Sequence, residues 1–327
     1  MTQRSDTVGI VGAGTFGSAL ACVLARAGRR VVLWSRDADV VRSIETQRFS
    51  PRFPDAKFAD SLIATQDPKR LATEVRFLVL AVASTDVRDR SKELGAFLDG
   101  SHIVVHAVGA LATPTNERVS EVMMAGLPTL KIGAIAGPAL PADLVEGAFA
   151  SLVAASSFDE VIAESRRLLN VPPQLRVYGS RDLAGVELAS ALAGAYTIAL
   201  GMLDGLGLGH GTRAVLITRA IAEAGRLGKS LGADERTFAG LAGLGNLLVR
   251  TSDKSADYVL GGRIAEGVLT ADSMRTEGAR AALAGASLAE TQRIRMPVLQ
   301  GVAAVLAGKL QPTAAAQAIG SDVASYE

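Results

Sequence analysis

Val8-Gly9-Ile10-Val11-Gly12-Ala13-Gly14-Thr15-Phe16-Gly17 is the stretch on which the fold turns. The apolar run Val8 to Val11 reads as a buried strand, and it feeds straight into a G-x-G-x-x-G turn. Gly17 to Ala27 then reads as a helix. Each glycine has its own reason in that setting. Gly12 permits the tight turn, Gly14 lets the backbone approach a pyrophosphate, and Gly17 allows close packing of helix on strand. Phosphates then lie at the helix N-terminus, where free N–H groups and the dipole favour negative charge. Gly12, Gly14, Thr15, Phe16 and Gly17 are therefore expected to bind a dinucleotide cofactor.

The end of the second strand decides which dinucleotide. An acid there would take the ribose hydroxyls of NAD, but this chain reads Trp34-Ser35-Arg36-Asp37. Ser35 and Arg36 occupy the contact positions, and an arginine there accepts a 2′-phosphate or stacks on adenine. Asp37 reaches a ribose only if the loop folds differently. The cofactor is NADP or NAD, with Arg36 tilting the balance towards NADP.

Outward from this core, strands are expected at Thr7 to Val11, Arg30 to Trp34, Phe77 to Val82, Ile103 to His106, Ile132 to Ala136, Ser151 to Ala154 and Leu175 to Tyr178. Helical spacing appears between them, for example over Val40 to Thr46 and Phe158 to Leu169. Strands alternating with helices imply a parallel sheet covered on both faces. After Tyr178 the pattern changes. Asp182 to Leu203, Thr212 to Leu231, Arg236 to Val249, Ala279 to Glu290 and Pro297 to Ala307 all read as helices. The fold class is α/β: an N-terminal Rossmann-type doubly wound parallel sheet (residues 1–179) followed by an all-α C-terminal domain (180–327).

Composition narrows the function classes. A chain of 327 residues defaults to two domains, and at 49% hydrophobic but only 4% aromatic its core is aliphatic. A net charge of +1 gives no electrostatic reason to expect nucleic acid or an anionic membrane as partner. Cys22 stands alone, so neither a disulfide framework nor a cysteine metal site is expected. The polar start, Met1 to Asp6, lacks the apolar stretch of a signal peptide. The apolar region Leu188 to Leu203 is too short to span a bilayer. A cytoplasmic protein acting on a small molecule is expected, and homodimer assembly is compatible with the chain.

Further motifs occur in order: Gly137-Pro138, Gly185-Val186-Glu187-Leu188, the glycine-rich Asp204 to Gly211, Arg213, Leu216-Ile217-Thr218-Arg219, Gly243-Leu244-Gly245 and Glu277-Gly278. Together with Val8 to Gly17 and Val31 to Trp34, they closely resemble NAD(P)-dependent glycerol-3-phosphate dehydrogenase. The resemblance runs from about Val8 to at least Gly278. It implies hydride transfer between nicotinamide and the pair dihydroxyacetone phosphate and glycerol 3-phosphate, and it adds Glu277 to the cofactor-binding residues. It also implies two lysines, an asparagine, an aspartate, a threonine and an arginine-asparagine pair at the substrate. Such a site needs a proton donor for the ketone oxygen and cations for the phosphate.

Here the chain departs from the resemblance. Between Ile132 and Gly228 there is no lysine. The positions of the two lysines are Val108, in Ala107-Val108-Gly109, and Ala193, in Ala193-Gly194. The aspartate is Asn246, the threonine is Arg250, and the arginine-asparagine pair falls near Ala256-Asp257. The catalytic residues are therefore unassigned. Arg250, Tyr258 and His106 are candidate substitutes, and Asn246 with Arg250 are candidate substrate contacts. His106 shares a strand face with Val108 if the strand continues that far. Each candidate also has a plain structural role open to it: a bonded core histidine, a solvated arginine, a packed tyrosine. Three functions follow: the family reaction through unrecognised replacements, an oxidoreductase with an altered substrate, or a non-catalytic NAD(P)-binding sensor or assembly protein.

Overall fold

The computed structural model describes residues 6–321. By compactness the chain divides into two units, residues 1–108 with 117–183, and residues 109–116 with 184–327.

Among the described residues of the first unit, eight strands form one sheet. They are β1 (Val8–Val11), β2 (Val31–Trp34), β3 (Leu62–Thr65), β4 (Phe77–Leu80), β5 (Ile103–His106), β6 (Ile132–Ala136), β7 (Ala150–Ala155) and β8 (Leu175–Ser180). Their spatial order is β3-β2-β1-β4-β5-β6-β7-β8. The chain steps outward from β1 in both directions, as a doubly wound sheet does. β1, β2, β4 and β5 are buried at every position. That is why they read as continuous apolar runs: helices cover both faces, so no face alternates with water. Helices α1 (Thr15–Arg26), α2 (Ala38–Gln47), α3 (Pro68–Glu74), α4 (Val87–Gly95), α5 (Val119–Gly126), α6 (Pro141–Glu146) and α7 (Asp159–Leu169) supply that cover.

Two features differ from the expectation. β3 was not foreseen; it is four residues long and emerges from the irregular Ser50 to Ser61 region. The sheet is also not wholly parallel, because β7 runs antiparallel to β6. Gly137, at φ 152°, follows β6 and lies against the backbone of Ser151, where a β-carbon would collide with the Ser151 carbonyl. β8 is parallel to β7, so the reversal is inherited by the edge of the sheet.

The second unit is helical among its described residues. It contains α8 (Leu183–Gly205), α9 (His210–Ser230), α10 (Glu235–Phe238), α11 (Asn246–Val249), α12 (Ala256–Ala265), α13 (Glu277–Thr291), α14 (Pro297–Leu306) and α15 (Pro312–Ser321). α8 is buried from Gly185 to Leu203. Small residues make this feasible: Gly201 lies against the Tyr258 carbonyl and Gly261 against the Ile198 carbonyl, so α8 and α12 touch backbone to backbone. The expected helix over Arg236 to Val249 is broken in the middle, with a π-turn at Leu241–Gly245. Gly243 packs there against the backbone of Phe238, leaving no room for a side chain.

One buried acid holds three helices together. Glu223 on α9 accepts a hydrogen bond from the Tyr196 hydroxyl of α8 at 2.9 Å. It also accepts from Val298 N at 3.1 Å and Leu299 N at 2.8 Å, two of the orphan N–H groups that open α14. Burial pushes the Glu223 carboxyl up to about 7, against the opposing pull of these donors.

Candidate functional site

The nucleotide fingerprint has the geometry its glycines require. Gly12 sits at φ 111°, with the Ala81 carbonyl where a side chain would be, and Gly17 lies against the Gly12 carbonyl. Gly14 is the opposite case. It is the N-cap of α1, and a β-carbon there would meet nothing within 4 Å. The cradle over the start of α1 is therefore open to an outside group at Gly14. The N–H groups of the first turn, where Thr15 and Phe16 follow, are those that could hold a pyrophosphate.

Ser35 and Arg36 stand at the end of β2. Ser35 is buried, and its hydroxyl accepts from Asp37 N at 3.2 Å. Arg36 is solvent-exposed and donates to Asp86 at 2.8 Å. Asp37 is occupied as the N-cap of α2, accepting from Asp39 N and Val40 N. The cation is thus presented outward at the strand end, while the neighbouring acid is turned into the helix.

In the second unit the candidate substrate residues converge. Arg250, just after α11, donates from Nε to Asn246 Oδ1 at 3.0 Å. Its Nη1 approaches Asp257 Oδ2 at 3.4 Å. Asp257 in turn accepts from Gly278 N at 3.1 Å, next to Glu277. Burial raises the Asp257 carboxyl above its usual range, and the Arg250 cation opposes that rise. Asn246 is also buried, with Ser190 3.4 Å away. A β-carbon built on Gly194 would lie 3.3 Å from Asp257 Oδ2 and 3.5 Å from Arg250 Nη1. One on Gly109 would lie 3.4 Å from Arg250 Nη2. The absence of side chains at Gly109 and Gly194 makes room for the guanidinium.

Tyr258 lies elsewhere in the same unit. Tyr258 gives its hydroxyl to Asp204 at 2.5 Å, and Arg213 pairs with the same carboxylate. The backbone of Tyr258 packs at Gly201, seven residues and about 10 Å along α8 from Gly194. β5 stops at His106, so the condition for Val108 to share a strand face with it, that the strand continue that far, is not met. Instead the Val108 N–H points to His106 Nδ1 at 3.3 Å, and both residues are buried. Ala193 is buried within α8.

Asp257 was missed as a participant by the sequence reading. The signal for it was an exchange: an amide, Asn246, where the resemblance implies an acid, and an acid, Asp257, near the implied asparagine. Glu223 and the Asp204–Arg213–Tyr258 cluster left no such trace.

The family described as NAD-dependent glycerol-3-phosphate dehydrogenase matches this chain in both its parts, the N-terminus over residues 7–162 and the C-terminus over residues 182–317. The chain belongs to that family. A relative from Halorhodospira halophila, glycerol-3-phosphate dehydrogenase [NAD(P)+], is 36% identical over 312 residues, covering 93% of each chain. The enzyme of the same name from Geobacter sulfurreducens is also 36% identical, covering 92% of this chain and 93% of its own. Among solved structures, glycerol-3-phosphate dehydrogenase from Coxiella burnetii superposes with a TM-score of 0.90 at 30% identity, covering 96% of this chain and 98% of its own. The family fold, a Rossmann-type sheet followed by an all-helical region, is the fold described above.

Proposed function

We propose that this family member is an NAD(P)-dependent oxidoreductase that moves a hydride between nicotinamide and a small ketone or alcohol other than the dihydroxyacetone phosphate pair. Family membership and the open cradle at Gly14 support the cofactor, NADP or NAD. Residues 1–179 are assigned to nucleotide binding, with Gly12, Gly14, Thr15, Phe16, Gly17, Ser35 and Arg36 as contacts. Residues 180–327 are assigned to the substrate, with Glu277 also reaching the nucleotide. A cytoplasmic setting and homodimer assembly belong to the same reading.

The altered substrate rests on one observation: Arg250, fixed by Asn246 and Asp257, fills the space beside Gly109 and Gly194. The bound nicotinamide supplies the hydride. The guanidinium stabilises negative charge that develops on a nearby oxygen, but it does not release a proton at neutral pH. It therefore replaces the electrostatic part of a lysine's work and not its proton transfer. Positioned general acid catalysis is worth roughly a hundred- to ten-thousandfold in rate.

Purified protein should accordingly reduce dihydroxyacetone phosphate far below the ordinary enzyme rate of about 10 per second. Ala193→Lys alone should recover little, because groups that act as a unit are strongly non-additive. Turnover of this substrate at about 10 per second by the unmodified protein would refute the proposal.

A further inference from the structure

We infer that Asp257 is the positioning residue that locks Arg250 as the anion contact of this site, and that its charge fixes the substrate class as a monoanionic carboxylate and not a phosphate dianion. The claim that the bound anion is the substrate rests on the proposed function; the anion preference itself does not.

Three observations carry it. The guanidinium is held on two of its edges, Nε by Asn246 and Nη1 by Asp257. Its third corner, Nη2, faces the bare α-carbon of Gly109, and the arginine side chain is still 24% exposed. The exposed part of the side chain leaves a ligand access to the guanidinium, and a carboxylate suits its planar donor set. Second, the buried Asp257 carboxylate already balances the one cation. Arg250 and Asp257 together are neutral, so an arriving anion feels a fixed negative charge close behind the arginine. A dianion gains only twice what a monoanion gains from this neutral pair, while its desolvation cost rises with the square of its charge, so the pair offsets that cost less well for the dianion. Third, Asp257 is not free to turn away, because Gly278 N holds its other oxygen and Gly278 leaves no space beside it.

The test is calorimetric titration of the full-length protein, with and without NADPH, using oxamate as the monoanionic probe and methyl phosphate as the dianionic one. At about pH 8 the phosphate monoester is doubly charged. Oxamate should bind the unmodified protein at least about tenfold more tightly than methyl phosphate. Asp257→Asn should lower that ratio at least about tenfold by strengthening methyl phosphate binding. A merely structural role would weaken both probes alike. Arg250→Lys should weaken oxamate at least about tenfold, and it decides the matter if the first variant fails to fold. Equal or tighter binding of methyl phosphate overturns the inference. So does binding of neither probe, a ratio unmoved in Asp257→Asn, or oxamate affinity unmoved in Arg250→Lys. Failure of NADPH to bind the same samples would count against the proposed function and leave the anion ratio readable.

Discussion

Substituting Glu223 with glutamine should change how stability depends on pH, by an amount the structure fixes. The Glu223 carboxyl rises from 4.5 to about 7 on burial. A raised carboxyl means the folded protein holds the proton more tightly than the unfolded chain. Its favourable contribution is therefore complete below about pH 4.5 and is lost as pH climbs through 7. At 1.36 kcal/mol per unit, the whole effect is of order 3 kcal/mol. About 2.5 kcal/mol of it falls between roughly pH 5 and pH 8. Glutamine has the same shape but no titration, and its amide turns a donor towards at least one of Tyr196 OH, Val298 N and Leu299 N. A fixed cost of about 1–3 kcal/mol follows at all pH values. Urea unfolding of both proteins across that range reads the difference. The advantage of glutamate over glutamine should shrink steadily as pH rises. Parallel profiles would mean that Glu223 titrates normally, and the burial argument would be wrong.

Gly14→Val should leave folding intact, since a β-carbon there meets no protein atom within 4 Å, yet it should weaken NADPH at least about tenfold, or 1.4 kcal/mol. Unchanged affinity would remove the pyrophosphate from this turn. Arg36→Asp breaks the pair with Asp86 and puts two carboxylates together at the end of β2. It should reverse a preference for NADPH into one for NADH, and a clear NADH preference in the unmodified protein would show that Arg36 is misassigned.

Much of the first unit was legible because its strands are buried on both faces and announce themselves as unbroken apolar runs. β3 escaped because Leu62-Ile63-Ala64-Thr65 is short and follows a stretch with no periodicity. The direction of β7 escaped because nothing in Ala150 to Ala155 itself encodes direction; it shows only in the antiparallel pairing with β6. The broken helix over Arg236 to Val249 was hidden for a different reason. Its apolar spacing is helical, and only the close approach of Gly243 to Phe238 shows why the helix cannot continue. At the candidate site the sequence exposed what had been exchanged but not what had been assembled. Arg250 and Asp257 are seven residues apart across a turn, a spacing with no regular meaning, and their meeting depends on the bare backbone at positions 109 and 194.

α8 has a consequence for how the chain comes into being. Read as Leu188 to Leu203 it was too short to span a bilayer, but the helix runs 23 residues and is long and apolar enough to cross one, yet its most apolar window is entirely buried. The groups that cover it come from Glu223 on α9, from α12 at Gly261, and from α13, where Gly285 lies beside Leu192. All three are downstream. During synthesis an oily rod of about 35 Å leaves the ribosome well before α12 and α13 exist. A product cut short between α8 and α9 would carry that rod without any of these covers, ready to clump with other chains or partition into lipid. For this half of the protein, premature termination is a hazard in its own right and not simply a loss of function.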